Sequence, residues 1–273
     1  MIATQLRGTA TSRAESVQTY ARIAGVLLLV SLVGGGFGEA YAPAQLIVAG
    51  NASATAHNVI ASDLLFRLGF LGYLSEAVCD VALAFLLYVL LRSVHANLAF
   101  LAVLFRLMAT ATFAFGELFY FAPSLILGGD AYLKTFSSDQ RNALALLSFN
   151  VYGFAGGMSQ VFYGIASIVL GYLMFRSGYL PRVLGALLAI GGLGFVASTV
   201  ALVLAPTYAS SVLLLPTILA MLALALWLLV RGVDVGKWNE RGAVVADGSV
   251  RSEHTMSPAC PARPEPAAPS PFV

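Results

Sequence analysis

Charge is scarce in this chain. Asp, Glu, Lys and Arg together make up 10% of 273 residues, against roughly a quarter in soluble domains. So little charge cannot coat a soluble surface, and with 59% hydrophobic residues the composition is that of an all-α integral membrane protein. The formal charge of +2 is too mild for a nucleic-acid binder, and the basic residues sit near helix ends instead of forming a patch. The two cysteines, Cys79 and Cys260, fall in an apolar helix and in a polar tail, which excludes a disulfide framework. The three histidines, His57, His95 and His254, lie in links or in the tail, so no intramembrane cluster offers haem or zinc ligands. Lys134 and Lys237 both lie outside the spans, which excludes a retinal-type Schiff base. No H-E-x-x-H, G-x-S-x-G or P-loop pattern occurs. No cofactor or metal is expected, and an enzyme acting on lipid or isoprenoid is the least favoured class.

What is present is a series of long apolar runs, each able to cross a hydrocarbon core of about 30 Å. The reading is a polar N-terminal arm over 1–20, then six transmembrane helices within 21–231, at 22–46, 64–92, 97–125, 143–175, 183–204 and 211–230. A Pro/Ala-rich tail over 232–273 has too few large apolar residues to fold and is expected to be disordered. The first run has no A-x-A-like cleavage site and is expected to be a retained signal anchor. Asn51 or Ser53 could cap a short surface helix through Ala56 and Ile60, and Ser137-Ser138-Asp139-Gln140 has the spacing of a capping box. Gly34-Gly35-Gly36-Phe37-Gly38 in the first span and Gly153/Gly157 in the fourth suit close helix contact, as does Gly191-Gly192-Leu193-Gly194. The polar residues of the fourth span, Asn150, Tyr152, Ser159, Gln160, Tyr163 and Ser167, suit interhelical hydrogen bonding first and a cavity lining second.

Lysine and arginine placement predicts topology. Arg7, Arg13 and Arg22, Arg92, Arg176 and Arg182, and the tail arginines fall on one side, and Lys134 and Arg141 on the other. The positive-inside rule then makes both termini cytoplasmic.

The stretch from Asp63 to Tyr120 organises the chain. It reads as two apolar helices joined by Arg92-Ser93-Val94-His95-Ala96-Asn97. With Glu39 it supplies the ionisable cluster Glu39, Arg67, Glu76, Asp80, Arg106 and Glu117 inside hydrophobic runs, where charge is rare and costly. The last three spans carry none in their interiors, so the chain divides into a charged half and a packing half. Asp63 and Arg67 are four apart and pair locally. Arg106, Thr110, Phe113, Glu117 and Tyr120 form one helical stripe, and depth counting at ~1.5 Å per residue predicts an Asp80/Arg106 pair across the hairpin. That leaves carboxylates in excess of guanidinium groups. An unpaired carboxylate in hydrocarbon costs several kcal/mol and normally takes up a proton instead, and Glu76, beside Asp80, is the candidate.

Ala21-Arg22-Ile23-Ala24-Gly25, Ala54-Thr55-Ala56-His57-Asn58 with Phe66-Arg67-Leu68-Gly69, Phe105-Arg106-Leu107 and Ser177-Gly178-Tyr179-Leu180-Pro181-Arg182-Val183-Leu184-Gly185 resemble a bacterial family of multi-pass membrane proteins, domain of unknown function 4386. The resemblance covers about residues 20 to 230. It implies six spans in a bacterial inner membrane and supports Arg67, Asp80 and Arg106 as pattern positions, but implies no activity. Two functions remain open. One is a structural or accessory membrane protein, partnered by lipids and by a homo-oligomer or another membrane protein. The other is a small proton- or cation-coupled transporter using Glu76, Asp80 and Arg106. Transport predicts a polar cavity reaching Glu76; the structural role predicts a sealed hairpin with every charge paired.

Overall fold

The computed structural model describes residues 2–205 and 214–241, with side chains from residue 16, and among the described residues eight helices and two short irregular turns account for nearly everything. Helix α1 (Ile2–Gly35) passes into a π-helical turn at Gly36–Tyr41 and then α2 (Ala42–Leu46). The expected polar arm therefore has a helical backbone from Ile2 onward. Extending an existing helix adds one hydrogen bond per residue fixed and avoids the nucleation cost, and no proline precedes Pro43 to stop it. Helix α3 (Ala52–Ala61) is capped by Asn51, whose Oδ1 accepts from the Ala54 N–H at 2.9 Å.

Helix α4 (Asp63–Leu127) is interrupted only at His95, whose φ of −162° and ψ of 103° are extended. The expected six-residue link thus narrows to one residue. His95 Nδ1 accepts from the Leu98 N–H at 3.2 Å, capping the second arm as an Asn or Ser side chain would. The arms, 63–94 and 96–127, fold back on each other, with Phe66 stacked on Tyr120 at 5.0 Å between ring centroids and Tyr88 edge-on to Phe100 at 6.4 Å.

Helix α5 (Ser138–Ser177) starts from the expected capping box: Ser137 Oγ accepts from Gln140 N, and Gln140 Oε1 accepts from Ser137 N. It ends at Gly178, whose φ of 77° is the left-handed conformation that favours glycine. After Pro181 come α6 (Arg182–Leu204), α7 (Leu215–Val230) and α8 (Val235–Arg241), the last bent by 103° from α7. The expected Pro206-Thr207-Tyr208 link lies outside the described residues, as do Cys260 and the Pro-rich stretch.

The tail reading fails for its first ten residues. Gly232, at φ 65°, turns the chain, and Val233 and Trp238 are buried against the bundle. Trp238 Nε1 donates to the Leu90 carbonyl at 3.0 Å. A buried indole with a hydrogen-bond partner outweighs the polar composition around it.

Ser16–Leu46, Asp63–Leu127, Ser138–Ser177 and Arg182–Leu204 are long and apolar enough to cross a membrane, and α7 with α8 makes a fifth candidate as a bent pair. Their outward faces carry large apolar side chains, Val78, Phe115 and Val183 each being more than 60% exposed. Such a belt suits lipid and would be an aggregation hazard in water.

At the His95 end the interior is apolar: Val17, Leu28, Leu83, Leu87, Leu90, Leu173, Met174, Leu224 and Leu228 form one buried cluster. At the opposite end Leu46, Val59, Phe66, Tyr120, Phe149 and Tyr152 form a smaller aromatic one. Small residues let α5 and α6 meet backbone to backbone. A Cβ built on Gly164 would lie 2.6 Å from the Gly192 carbonyl oxygen, and one on Gly185 2.6 Å from that of Gly171. The expected Gly153/Gly157 contact is not of this kind: Gly153 has nothing within 4 Å, and Gly157 faces the Leu202 side chain.

Candidate functional site: a carboxylate-lined cavity at mid-depth

Between the two clusters α1 lies unusually close to the first arm of α4, because its glycines present no side chains there. A Cβ on Gly34 would sit 2.7 Å from the Gly72 carbonyl oxygen, one on Gly38 2.6 Å from that of Gly69, and one on Gly35 would run into the Glu76 carboxyl. The helix then widens into the π turn at Gly36–Tyr41, which carries Glu39. One-turn π segments within α-helices occur disproportionately at functional sites.

This approach places the Glu39 and Glu76 carboxyl groups on the wall of one cavity. Carboxyl groups gathered in an apolar interior without enough cations are accommodated by holding a proton among them. One turn further along α4, Asp80 Oδ1 accepts from Arg106 Nη2 at 2.6 Å and from Ser31 Oγ at 3.3 Å. Both side chains of that pair are nearly inaccessible, at 5% and 7% exposure. The Arg106 guanidinium also lies 4.8 Å from the centroid of the Tyr163 ring, a cation–π distance. Glu117 is buried near Tyr152. Polar pairing is incomplete, since Glu76 Oε2, Glu117 Oε1, Arg106 Nε and the Tyr73 hydroxyl have no hydrogen-bond partner. Buried polar atoms without partners are uncommon in native interiors and call for an explanation.

The explanation lies beside them, in a cavity of about 540 Å³ lined from α1, the π turn, both arms of α4, α5, α6 and α7. Its polar wall includes Glu39, Glu76, Asp80, Thr110, Gln160 and Tyr163; its apolar wall includes Leu32, Phe113, Phe195, Ile218 and Met221. Glu39 is exposed to this space. Glu76 lies about 20 Å along the helix from Asp63 at ~1.5 Å per residue, near the middle of its arm.

Glu39, Glu76, Asp80, Arg106 and Glu117 are therefore assembled as one cluster, and the expected Asp80–Arg106 contact is made. Arg67 is not part of it. Its side chain is 55% exposed and its Nε donates to Asp63 at 2.8 Å; at ~100° per residue it points nearly opposite to Glu76, so membership of a buried cluster is corrected. The charged residues all come from the first three spans, as expected, but the other half does more than pack, because α5 supplies the uncharged Tyr152, Ser159, Gln160 and Tyr163 to the cavity. For these residues the cavity-lining alternative describes the structure better than hydrogen bonding between helices. Tyr163 does reach across to Met221 Sδ at 3.8 Å, whereas Ser159 bonds back to the Gly156 carbonyl of its own helix. Sequence reasoning missed Tyr73 and the π turn; the glycine run beside Glu39 was the available signal for the latter.

Comparison with known proteins gives a family and no activity. A protein of Archaeoglobus fulgidus named only "Uncharacterized protein" is 31% identical over 119 residues, 44% of this chain and 57% of that relative, so the match spans little more than half of the relative's length. No solved structure matches the chain. Residues 23–232 match the family described as Domain of unknown function (DUF4386), and the chain belongs to that family.

Proposed function

We propose that the protein is a six-span carrier of the bacterial inner membrane, with both termini cytoplasmic, that binds a small organic cation in the mid-depth cavity and links that binding to release of the proton held between Glu39 and Glu76. The observation carrying this reading is the cavity of about 540 Å³ that reaches three carboxyl groups. A purely structural hairpin calls for sealed, fully paired charges instead. Four carboxyl groups surround one guanidinium, so the site favours a positive ligand, and the rings of Tyr73, Phe113, Tyr152 and Tyr163 add faces suited to cations. The apolar wall suits a ligand with a hydrocarbon body over a bare metal ion.

Six crossings are supported by the two antiparallel arms of α4 and by α7 running back to the His95 end, where Gln18 Nε2 donates to the Arg231 carbonyl at 3.1 Å. Arg92, Arg176, Arg182 and Arg231 gather at that end, which the positive-inside rule assigns to the cytoplasm. The Asp80–Arg106 pair itself supports the structural alternative, in which the charges fix hairpin register and the chain serves as an accessory protein. Its dryness suits that role, while the accessible Glu39 does not.

The test is binding of hydrophobic amines to the purified protein in weakly buffered detergent, with proton release recorded. Saturable binding that releases protons, with the proton release lost in Glu76→Gln, is the expected result. Wild-type protein that neither binds any amine nor releases protons would leave the accessory role.

A further inference from the structure

A second, smaller cavity lies at the His95 end, about 350 Å³ in volume and lined by Phe175, Arg176, Gly178, Arg182 and Arg241. Three guanidinium groups from three helices, the end of α5, the start of α6 and the end of α8, thus share one pocket. Among the described residues no ion pair joins any of them to a carboxylate. All three arginines are exposed, and each makes a local contact. Arg176 lies 6.0 Å from the Tyr172 ring centroid and Arg182 5.8 Å from that of Phe175. Arg241 Nη2 donates to the Arg176 carbonyl at 3.1 Å, which draws α8 over the α5–α6 turn. Helix α6 begins behind Pro181 with no side-chain cap, so the positive end of its dipole points to the same region.

Rigid, planar donors converging on an uncompensated pocket match a phosphate group. The surrounding exposed rings of Tyr172 and Phe175 are those of a membrane–water interface. We propose that Arg176, Arg182 and Arg241 bind the phosphate of an anionic phospholipid headgroup, and that the bound lipid fastens α8 to the α5–α6 turn. This site is separate from the mid-depth cavity and does not depend on its function.

The experiment uses the full chain in nanodiscs of phosphatidylcholine with a minor fraction of phosphatidylglycerol, followed by extraction and native mass spectrometry of retained lipid. Wild type should retain phosphatidylglycerol selectively. Arg176→Gln, Arg182→Gln and Arg241→Gln should each weaken retention roughly fivefold, and the triple variant about a hundredfold. Arg92→Gln, at the same end but outside the pocket, should leave it unchanged, and thermal unfolding in detergent verifies that each variant is folded. Stabilisation by inorganic phosphate alone, lost in the triple variant, would support the same phosphate site with a soluble source. Equal retention by a folded triple variant, or an equal loss in Arg92→Gln, overturns the proposal.

Discussion

The His95 end and the mid-depth cavity differ as interiors. In the core of the His95 end apolar side chains fill the space, and two buried polar groups share one backbone partner: the Leu90 carbonyl accepts from both the Tyr179 hydroxyl, at 2.7 Å, and Trp238 Nε1, at 3.0 Å. At mid-depth three carboxyl groups line a space that is not filled, with Arg106 and Glu117 buried beside it, and several of these side chains have atoms that lack partners. One region is organised for stability. The other carries the costs that accompany a binding site.

The contrast can be broken most sharply at the Asp80–Arg106 pair. Arg106→Leu leaves Asp80 buried without its cation and should cost about 3–5 kcal/mol, and adding Asp80→Asn should recover much of it. Unfolding of the two single variants and the double variant in detergent measures the coupling; additive losses would show that the two side chains act independently.

Next in size is the glycine contact between α1 and α4. Gly38→Ala would push a methyl against the Gly69 carbonyl and should destabilise by about 1–3 kcal/mol. Gly36→Ala, with nothing within 4 Å of its Cβ, should leave the melting temperature nearly unchanged while narrowing the cavity. Measured side by side, they separate contact from cavity within one short stretch.

Trp238→Phe keeps an aromatic ring but removes the bond to Leu90, at an expected cost of about 1 kcal/mol. Amine binding should be unaffected, since the residue lies at the other region. The smallest stability effect belongs to Glu76→Gln, expected within about 1 kcal/mol because an amide matches a protonated carboxyl in shape and charge. Its consequence should appear in the pH dependence of ligand binding, which should flatten. A melting temperature that collapses in Glu76→Gln would place that residue with the structural pair instead.

Local and periodic features were legible in the sequence. The capping box at Ser137, the Asn51 cap, the long apolar helices and the stripe from Arg106 to Tyr120 depend on residues a few positions apart, so hydrogen-bonding rules and helical geometry suffice. The Asp80–Arg106 pair was accessible for the same reason, since a tight hairpin converts depth counting into distance. The local Asp63–Arg67 pair was legible from its four-residue spacing and is made, and that pairing on the outer face is what separates Arg67 from the cluster with which its charge had grouped it.

The docking of Trp238 could not be read from composition, because its partner carbonyl at Leu90 is 148 residues away in the chain. The cavity needed the tertiary structure as well. Its walls come from five long helices, and whether Gly153 and Gln160 touch a neighbouring helix or face open space depends on how far apart those helices stand. By itself, then, the sequence determined a membrane-length helical chain with acids at mid-depth, because apolar length and charge cost are properties of each segment. Only the packing of glycine-bearing helices decided that those acids would share a cavity, because close approach at one place leaves space at another.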